Sequence, residues 1–127
     1  MSTPEFQVNG LDHVQLAMPE GQEILARAFY SGILGLSERP KPLNLAKRGG
    51  VWFENEKLQV HLGVETDFRP AKKAHPAFAV KGLSALIEHL RHMHVAIVND
   101  EPLEGYNRIY ISDPFGNRIE LLERATP

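Results

Sequence analysis

The chain contains no cysteine. That absence excludes disulfides and thiolate ligands, so a bound metal ion would be held by imidazole, carboxylate or water. Charge of one sign is also lacking. Fourteen basic residues stand against sixteen acidic ones, the formal charge is −2 and no run of five like charges occurs, so neither nucleic acid nor a lipid surface is the expected partner. A small molecule is. The segment Met1 to Asn9 lacks the basic, apolar and small-residue succession of a secretory signal, and no apolar run is long enough to cross a bilayer, which gives a cytoplasmic expectation. What remains is ordinary for one globular domain: 127 residues, 43% hydrophobic and 24% charged.

The stretch Asp113 to Glu120 is the most informative. Pro114 fixes one backbone angle, and Gly116 and Asn117 tolerate positive φ. Apolar and polar residues alternate strictly on both sides, which predicts a hairpin. Ile109 and Ile111 precede the turn and Ile119 and Leu121 follow it. Glu120 therefore points away from the isoleucine face, together with Arg108, Tyr110 and Arg118.

Earlier in the chain, Leu11 to Met18 alternates as a half-buried strand, with His13 and Gln15 on one face. Ile24, Leu25, Ala28, Phe29 and Ile33 recur at helical spacing and predict a core-facing helix that ends near Gly32 and Gly35. Leu36 to Arg39 suits a short strand and Pro40 to Arg48 a loop. Gly49 to Glu54 and Lys57 to Val64 read as a hairpin turning at Asn55 and Glu56, which would set Trp52 opposite Gln59 and Gly50 opposite His61. Trp52, Gln59 and His61 then share one face. Glu65 to Ala74 is polar and basic and reads as a linker. After it come a strand at His75 to Val80, a helix carrying Leu83, Leu86, Ile87 and Leu90 with Ser84 as its cap, and a short strand at Val95 to Val98.

The order strand, helix, strand, strand, strand thus occurs twice, an internal repeat of roughly fifty residues. Its chemistry repeats as well. His13 and His61 sit on the first and last strands of one copy, and His75 and Glu120 on those of the other, at nearly equal spacing. The expected fold is α+β: two βαβββ modules, about 9–64 and 75–123 with a linker at 65–74, forming one domain over 1–127 whose curved mixed sheets enclose, within one chain or by exchange of modules between two, a cavity on which these four side chains converge. His89, His92 and His94 fall at a helix end and read as solvated.

The motifs Leu-Asp-His-Val-Gln-Leu at 11–16, Phe-Tyr and Leu-Gly-Leu within 29–36, His-Pro-Ala-Phe-Ala-Val at 75–80 and Asp-Pro-Phe-Gly-Asn-Arg-Ile-Glu at 113–120 occur in the order and spacing of the vicinal oxygen chelate superfamily. The chain resembles that group, which includes glyoxalase I, fosfomycin-resistance thiol transferases and extradiol dioxygenases, from Leu11 to Glu123. The resemblance implies one divalent ion on His13, His75 and Glu120, and a homodimer. Glyoxalase I carries glutamate where His61 stands, so this chain departs from it there.

Three imidazoles and a carboxylate suit Zn, Fe(II), Mn, Co or Ni. His61 reads as a fourth ligand, a general base or a polar wall. Catalytic work falls to Glu120 and His61, and substrate contacts to Trp52, Gln59, Arg108, Tyr110 and Arg118, the arginines suiting an anionic group. The expected function is a metal-dependent enzyme acting on a small oxygenated substrate, of lyase or isomerase, thiol-transfer or dioxygenase type. A protein that sequesters an antibiotic or other ligand without turnover, of the bleomycin-resistance kind, is the alternative.

Overall fold

The computed structural model describes residues 5–126. The first four residues, part of the segment read for a signal sequence, and residue 127 lie outside that range. The elements run β1 (Val14–Met18), α1 (Glu23–Tyr30), β2 (Ser37–Arg39), α2 (Leu43–Ala46), β3 (Val51–Glu54), β4 (Gln59–Val64), β5 (Ala77–Ala79), α3 (Leu83–His92), β6 (Tyr106–Ser112) and β7 (Arg118–Arg124). No helix among the described residues is long and apolar enough to cross a membrane.

The strands form two mixed sheets, β1-β4-β3-β2 and β5-β7-β6. In each, the first strand lies parallel to the last and the last is antiparallel to its predecessor. This is the predicted α+β duplication. The sheets are curved and unclosed. The core lies on the apolar strand faces: Val51, Phe53, Val60 and Leu62 in the first sheet, and Ile109, Ile111, Ile119 and Leu121 in the second, with Phe29, Tyr30, Leu83 and Leu90 from the helices. These positions follow the alternation in the sequence.

Four expectations need correction. The β3–β4 turn has its tip at Glu56 and Lys57: Asn55 N–H donates to the Leu58 carbonyl, and Asn55 Oδ1 accepts from the backbone N–H of Lys57 and of Leu58. Trp52 therefore opposes His61, and Glu54 opposes Gln59. A two-residue slip keeps every side chain on its face, so the faces survive where the register does not. Ile24 and Leu25 are not core. They are 77% and 46% exposed; Phe29 is buried as expected, and Ala26 and Tyr30 join it in place of the other two. Tyr30 is accepted inside because its hydroxyl finds a partner there.

Ser84 does not cap α3. Gly82 holds the N-cap at φ 81°, and the carboxylate of Glu123 accepts from Gly82 N–H at 2.7 Å and Leu83 N–H at 3.1 Å. Finally, Val95 to Val98 forms no strand. Only Val98 pairs, through one antiparallel bridge with Tyr110. The chain turns at His94, whose φ is 60°, and the polar residues Asn99 and Asp100 follow Val98 too soon for a ladder to grow.

The turn at 113–117 does more than reverse the chain. Gly116 alone takes positive φ there, at 92°. Asn117 is used for its side chain: its amide donates to the Ala17 carbonyl at 2.8 Å and to Asp113 Oδ2 at 3.0 Å, and its Oδ1 accepts from Ala71 N–H at 3.0 Å. Asp113 Oδ2 also accepts from the Tyr30 hydroxyl at 2.7 Å. Arg118 N–H bonds the Ala71 carbonyl. This buried polar cluster ties the second module to β1, to α1 and to segment 65–74.

Candidate functional site

Strand register places the candidate residues in two rows. In the first sheet Gln15 pairs with His61, His61 with Trp52 and Trp52 with Arg39. In the second, Ala77 pairs with Glu120, Glu120 with Tyr110 and Tyr110 with Val98. The repeat therefore equates His61 with Glu120 and Trp52 with Tyr110, and His13 and His75 each stand two positions before the first residue of its row.

On the first sheet the rings stack. Trp52 lies 4.0 Å from His61 with an interplanar angle of 5°, and His13 covers the other side at 4.1 Å and 20°. His61 is buried and its Nε2 has no hydrogen-bond partner. Burial lowers the affinity of this imidazole for a proton, and the positive charges of His13, Arg39 and Lys41 push the same way. His61 is thus held neutral, the form that ligates metals. His13 Nδ1 lies 2.9 Å from Asp12 Oδ1, and this hydrogen bond keeps the Asp12 carboxyl below its usual value. Gln59 is engaged sideways, accepting from Arg39 at 2.8 Å.

On the second sheet, His75 Nε2 lies 3.0 Å from Glu120 Oε1, while His75 Nδ1 meets the Lys73 carbonyl at 2.9 Å. The Tyr110 hydroxyl donates to Glu120 Oε1 at 3.1 Å, and Arg108 donates to Tyr110 at 3.0 Å and reaches Glu120 Oε2 at 3.5 Å. Burial alone would raise the Glu120 carboxyl. The hydrogen bonds from His75, Tyr110 and Arg108 outweigh it and leave the net shift downward, so the group is ionised at neutral pH. Arg118 lies with its guanidinium 3.8 Å over the Tyr110 ring and reaches Asp100 at 3.4 Å. Arg108 also donates to the Glu101 carbonyl at 2.7 Å. The two arginines therefore brace Tyr110, Glu120 and the loop after Val98.

The residues read from the sequence as site residues all fall on these two polar faces, in two separate groups. Among the described residues, no three His, Asp or Glu side chains of one chain come together closely enough to hold an ion. Each sheet brings two donors. The 3.0 Å between His75 Nε2 and Glu120 Oε1 suits neighbouring ligands on bonds of about 2.0–2.2 Å, and the His13 and His61 rings lie stacked side by side. The sequence reading missed Asp12, Gln15 and Lys41 as site neighbours. Gln15 had a signal, since it shares a strand face with His13. Asp12 precedes β1, where alternation says nothing about direction, and Lys41 lies in an irregular loop.

A sequence model of the glyoxalase/bleomycin resistance protein/dioxygenase superfamily matches residues 10–121. The chain belongs to this superfamily. A crystal structure of a glyoxalase family protein from Bacillus anthracis shares 44% identity with it, over 96% of this chain and 100% of that one, with a TM-score of 0.92. The fosfomycin resistance protein FosX from Listeria monocytogenes, complexed with Mn(II) and sulfate, shares 18% identity over 94% and 93% of the two chains, with a TM-score of 0.72. The virulence protein STM3117 from Salmonella typhimurium gives 17%, 94% and 100% coverage, and 0.73. No curated protein matches. The likenesses below 20% concern the fold alone. In this superfamily member the candidate residues stand as two pairs, His13 with His61 on the first sheet and His75 with Glu120 on the second.

Proposed function

We propose that this chain is a metal-dependent enzyme acting on a small oxygenated substrate, working as a homodimer in which His13 and His61 of one copy meet His75 and Glu120 of the partner subunit. The observation that carries this reading is the division of the four residues into two pairs at repeat-equivalent positions, with no three donors together among the described residues of one chain. A twofold dimer closes two such sites at once, because each copy gives one half to each.

The bound ion would act as a Lewis acid on the substrate oxygens. The chain's own residues do the rest. Glu120, ionised and hydrogen-bonded by Tyr110 and His75, is a proton acceptor at Oε1 near neutral pH. Arg108 compensates its charge. Trp52 offers a flat apolar wall beside the imidazoles. Reactions that begin by removing a proton next to a carbonyl suit this set best, which favours the isomerase or lyase type within the superfamily.

The test is elemental analysis of untagged protein, with and without reloading by Zn, Mn, Ni or Fe(II), together with light scattering. About one ion per chain and a dimer at micromolar concentration are expected. His13→Ala and His75→Ala should each abolish binding. Mixing the two unfolded and refolded together should restore about a quarter of the sites, since only mixed dimers contain one intact site. Less than about a tenth of an equivalent in the reloaded wild type would instead support sequestration without metal. Failure of the mixture to recover any ion would exclude sites shared between copies.

A further inference from the structure

The first sheet carries a cavity that neither donor pair occupies. It holds about 290 Å³ and lies between the polar face of the sheet and the loop containing α2, with Gln15, Lys41, Leu45, Arg48, Trp52 and Gly63 among its walls. Two of its wall residues are cations and none is acidic. The Lys41 ammonium donates to the Gly49 carbonyl, which positions the charge without neutralising it. Among the described residues Arg48 has no carboxylate within ion-pair distance. The Glu23 carboxylate, close to Gly49, is taken by the Gly50 N–H at 2.9 Å. A concave, partly apolar space whose two cations form no ion pair among the described residues suits an anion, even with the Glu23 carboxylate near Gly49.

Its position relates it to the imidazoles. Trp52 is both a wall of the cavity and the stacking partner of His61. Gln15, another wall, is in register with His61, and Gly63 follows His61 by two residues on the same face. That step along a strand is about 7 Å, which roughly five covalent bonds of about 1.5 Å can span. Gly63 matters here because a side chain would fill the space: a Cβ there would lie 2.6 Å from the Gln15 amide.

We infer that this cavity is the anion subsite of the substrate site, taking the carboxylate or phosphate-type end of a small molecule whose other end reaches His13 and His61. That the occupant is substrate rests on the proposed function; that the cavity binds an anion does not.

Trp52 is the only tryptophan, so its fluorescence reports on this cavity without labelling. Metal-free protein should be titrated with inorganic phosphate and, separately, with succinate, using chloride to hold ionic strength constant. A saturable change is expected, and Lys41→Met and Arg48→Met should each weaken it at least about tenfold. Lys57→Met, at the tip of the β3–β4 turn, should leave it unaltered. Because Lys41 also anchors Gly49, the Arg48 variant is decisive, with circular dichroism confirming its fold. Saturation by phosphate alone assigns a phosphate-type group, by succinate alone a carboxylate, and by both a site for either. No saturable response to either anion, or one that Arg48→Met leaves unchanged, would overturn the inference. The same titration on His75→Ala separates the two claims: anion binding that persists there while wild-type protein takes up no metal leaves the subsite standing and sinks the metal reading.

Discussion

Replacing Asn117 with Ala tests how the second module is held to the first. The side chain is 1% exposed and makes three hydrogen bonds: to the Ala17 carbonyl, to Asp113 and from the Ala71 N–H. Truncation leaves a β1 carbonyl and a linker N–H without partners and takes one donor from a buried carboxylate. A neutral bond of this kind contributes about 1 kcal/mol and one to a charged group about 1.5–3 kcal/mol. The expected loss is therefore about 3–5 kcal/mol. With an unfolding entropy of about 2.1 cal/mol/K per residue, a chain of this length should melt about 10–20 °C lower. Urea unfolding and thermal circular dichroism measure both quantities. Asn117→Asp sharpens the test, since it keeps an acceptor for Ala71 but presents a negative oxygen to Asp113 and the Ala17 carbonyl. It should be at least as damaging at pH 7. A loss below about 1 kcal/mol for Asn117→Ala, or wild-type stability for Asn117→Asp, would refute the assignment of this cluster as the clasp.

Other positions yield simpler expectations. Burial, followed by the negative charge of Asp113, raises the Tyr30 hydroxyl well above its usual range. Above about pH 10 the unfolded chain therefore releases that proton while the folded chain retains it, and stability falls as pH rises. Tyr30→Phe should remove that part of the alkaline loss and cost about 1.5–3 kcal/mol at pH 7, both read from urea midpoints across pH. Gly50→Ala should cost about 2–4 kcal/mol, because φ is 84° and a Cβ would sit 2.2 Å from the Leu62 carbonyl oxygen. Gly63→Ala meets only the movable Gln15 amide and should cost about 1 kcal/mol or less; equal losses for the two glycines would contradict the geometry. Glu123→Ala should cost about 1 kcal/mol by uncapping α3, whereas Ser84→Ala should be neutral. The reverse order in a melting experiment would restore Ser84 as the cap.

Strand faces were legible because alternation is a local property and the burial of one face enforces it. Trp52, Gln59 and His61 share a face as predicted, although their register was shifted by two, because parity is indifferent to an even slip. Helix faces were less secure. Ile24 and Leu25 fit an apolar stripe, but Tyr30, counted among no core positions, enters the interior through its bond to Asp113, 83 residues away in sequence. Nothing local in α1 announces such a partner. The same holds for α3, whose cap is supplied by Glu123 from β7 and not by the serine beside it.

The candidate site divides along the same line. The grouping of His13 with His61 and of His75 with Glu120 was readable because the members of each pair share one sheet face, at positions that the duplication makes equivalent. The face of Tyr110, Glu120, Arg108 and Arg118 followed from the isoleucines opposite it, and the hydrogen bonds among Arg108, Tyr110 and Glu120, with the Arg118 guanidinium over the Tyr110 ring, agree with it. The proposed meeting of one pair with the other is a different matter. It depends on how a sheet of one module is apposed to a sheet of another, and no pattern within a strand encodes that. Asn117, Asp113 and Tyr30 fix the modules of a single chain relative to each other, with one candidate pair on each and no three His, Asp or Glu together among the described residues. In the proposed dimer that polar cluster would also keep the two pairs of one copy apart, which is why mixing His13→Ala with His75→Ala is the experiment most sensitive to the proposed arrangement.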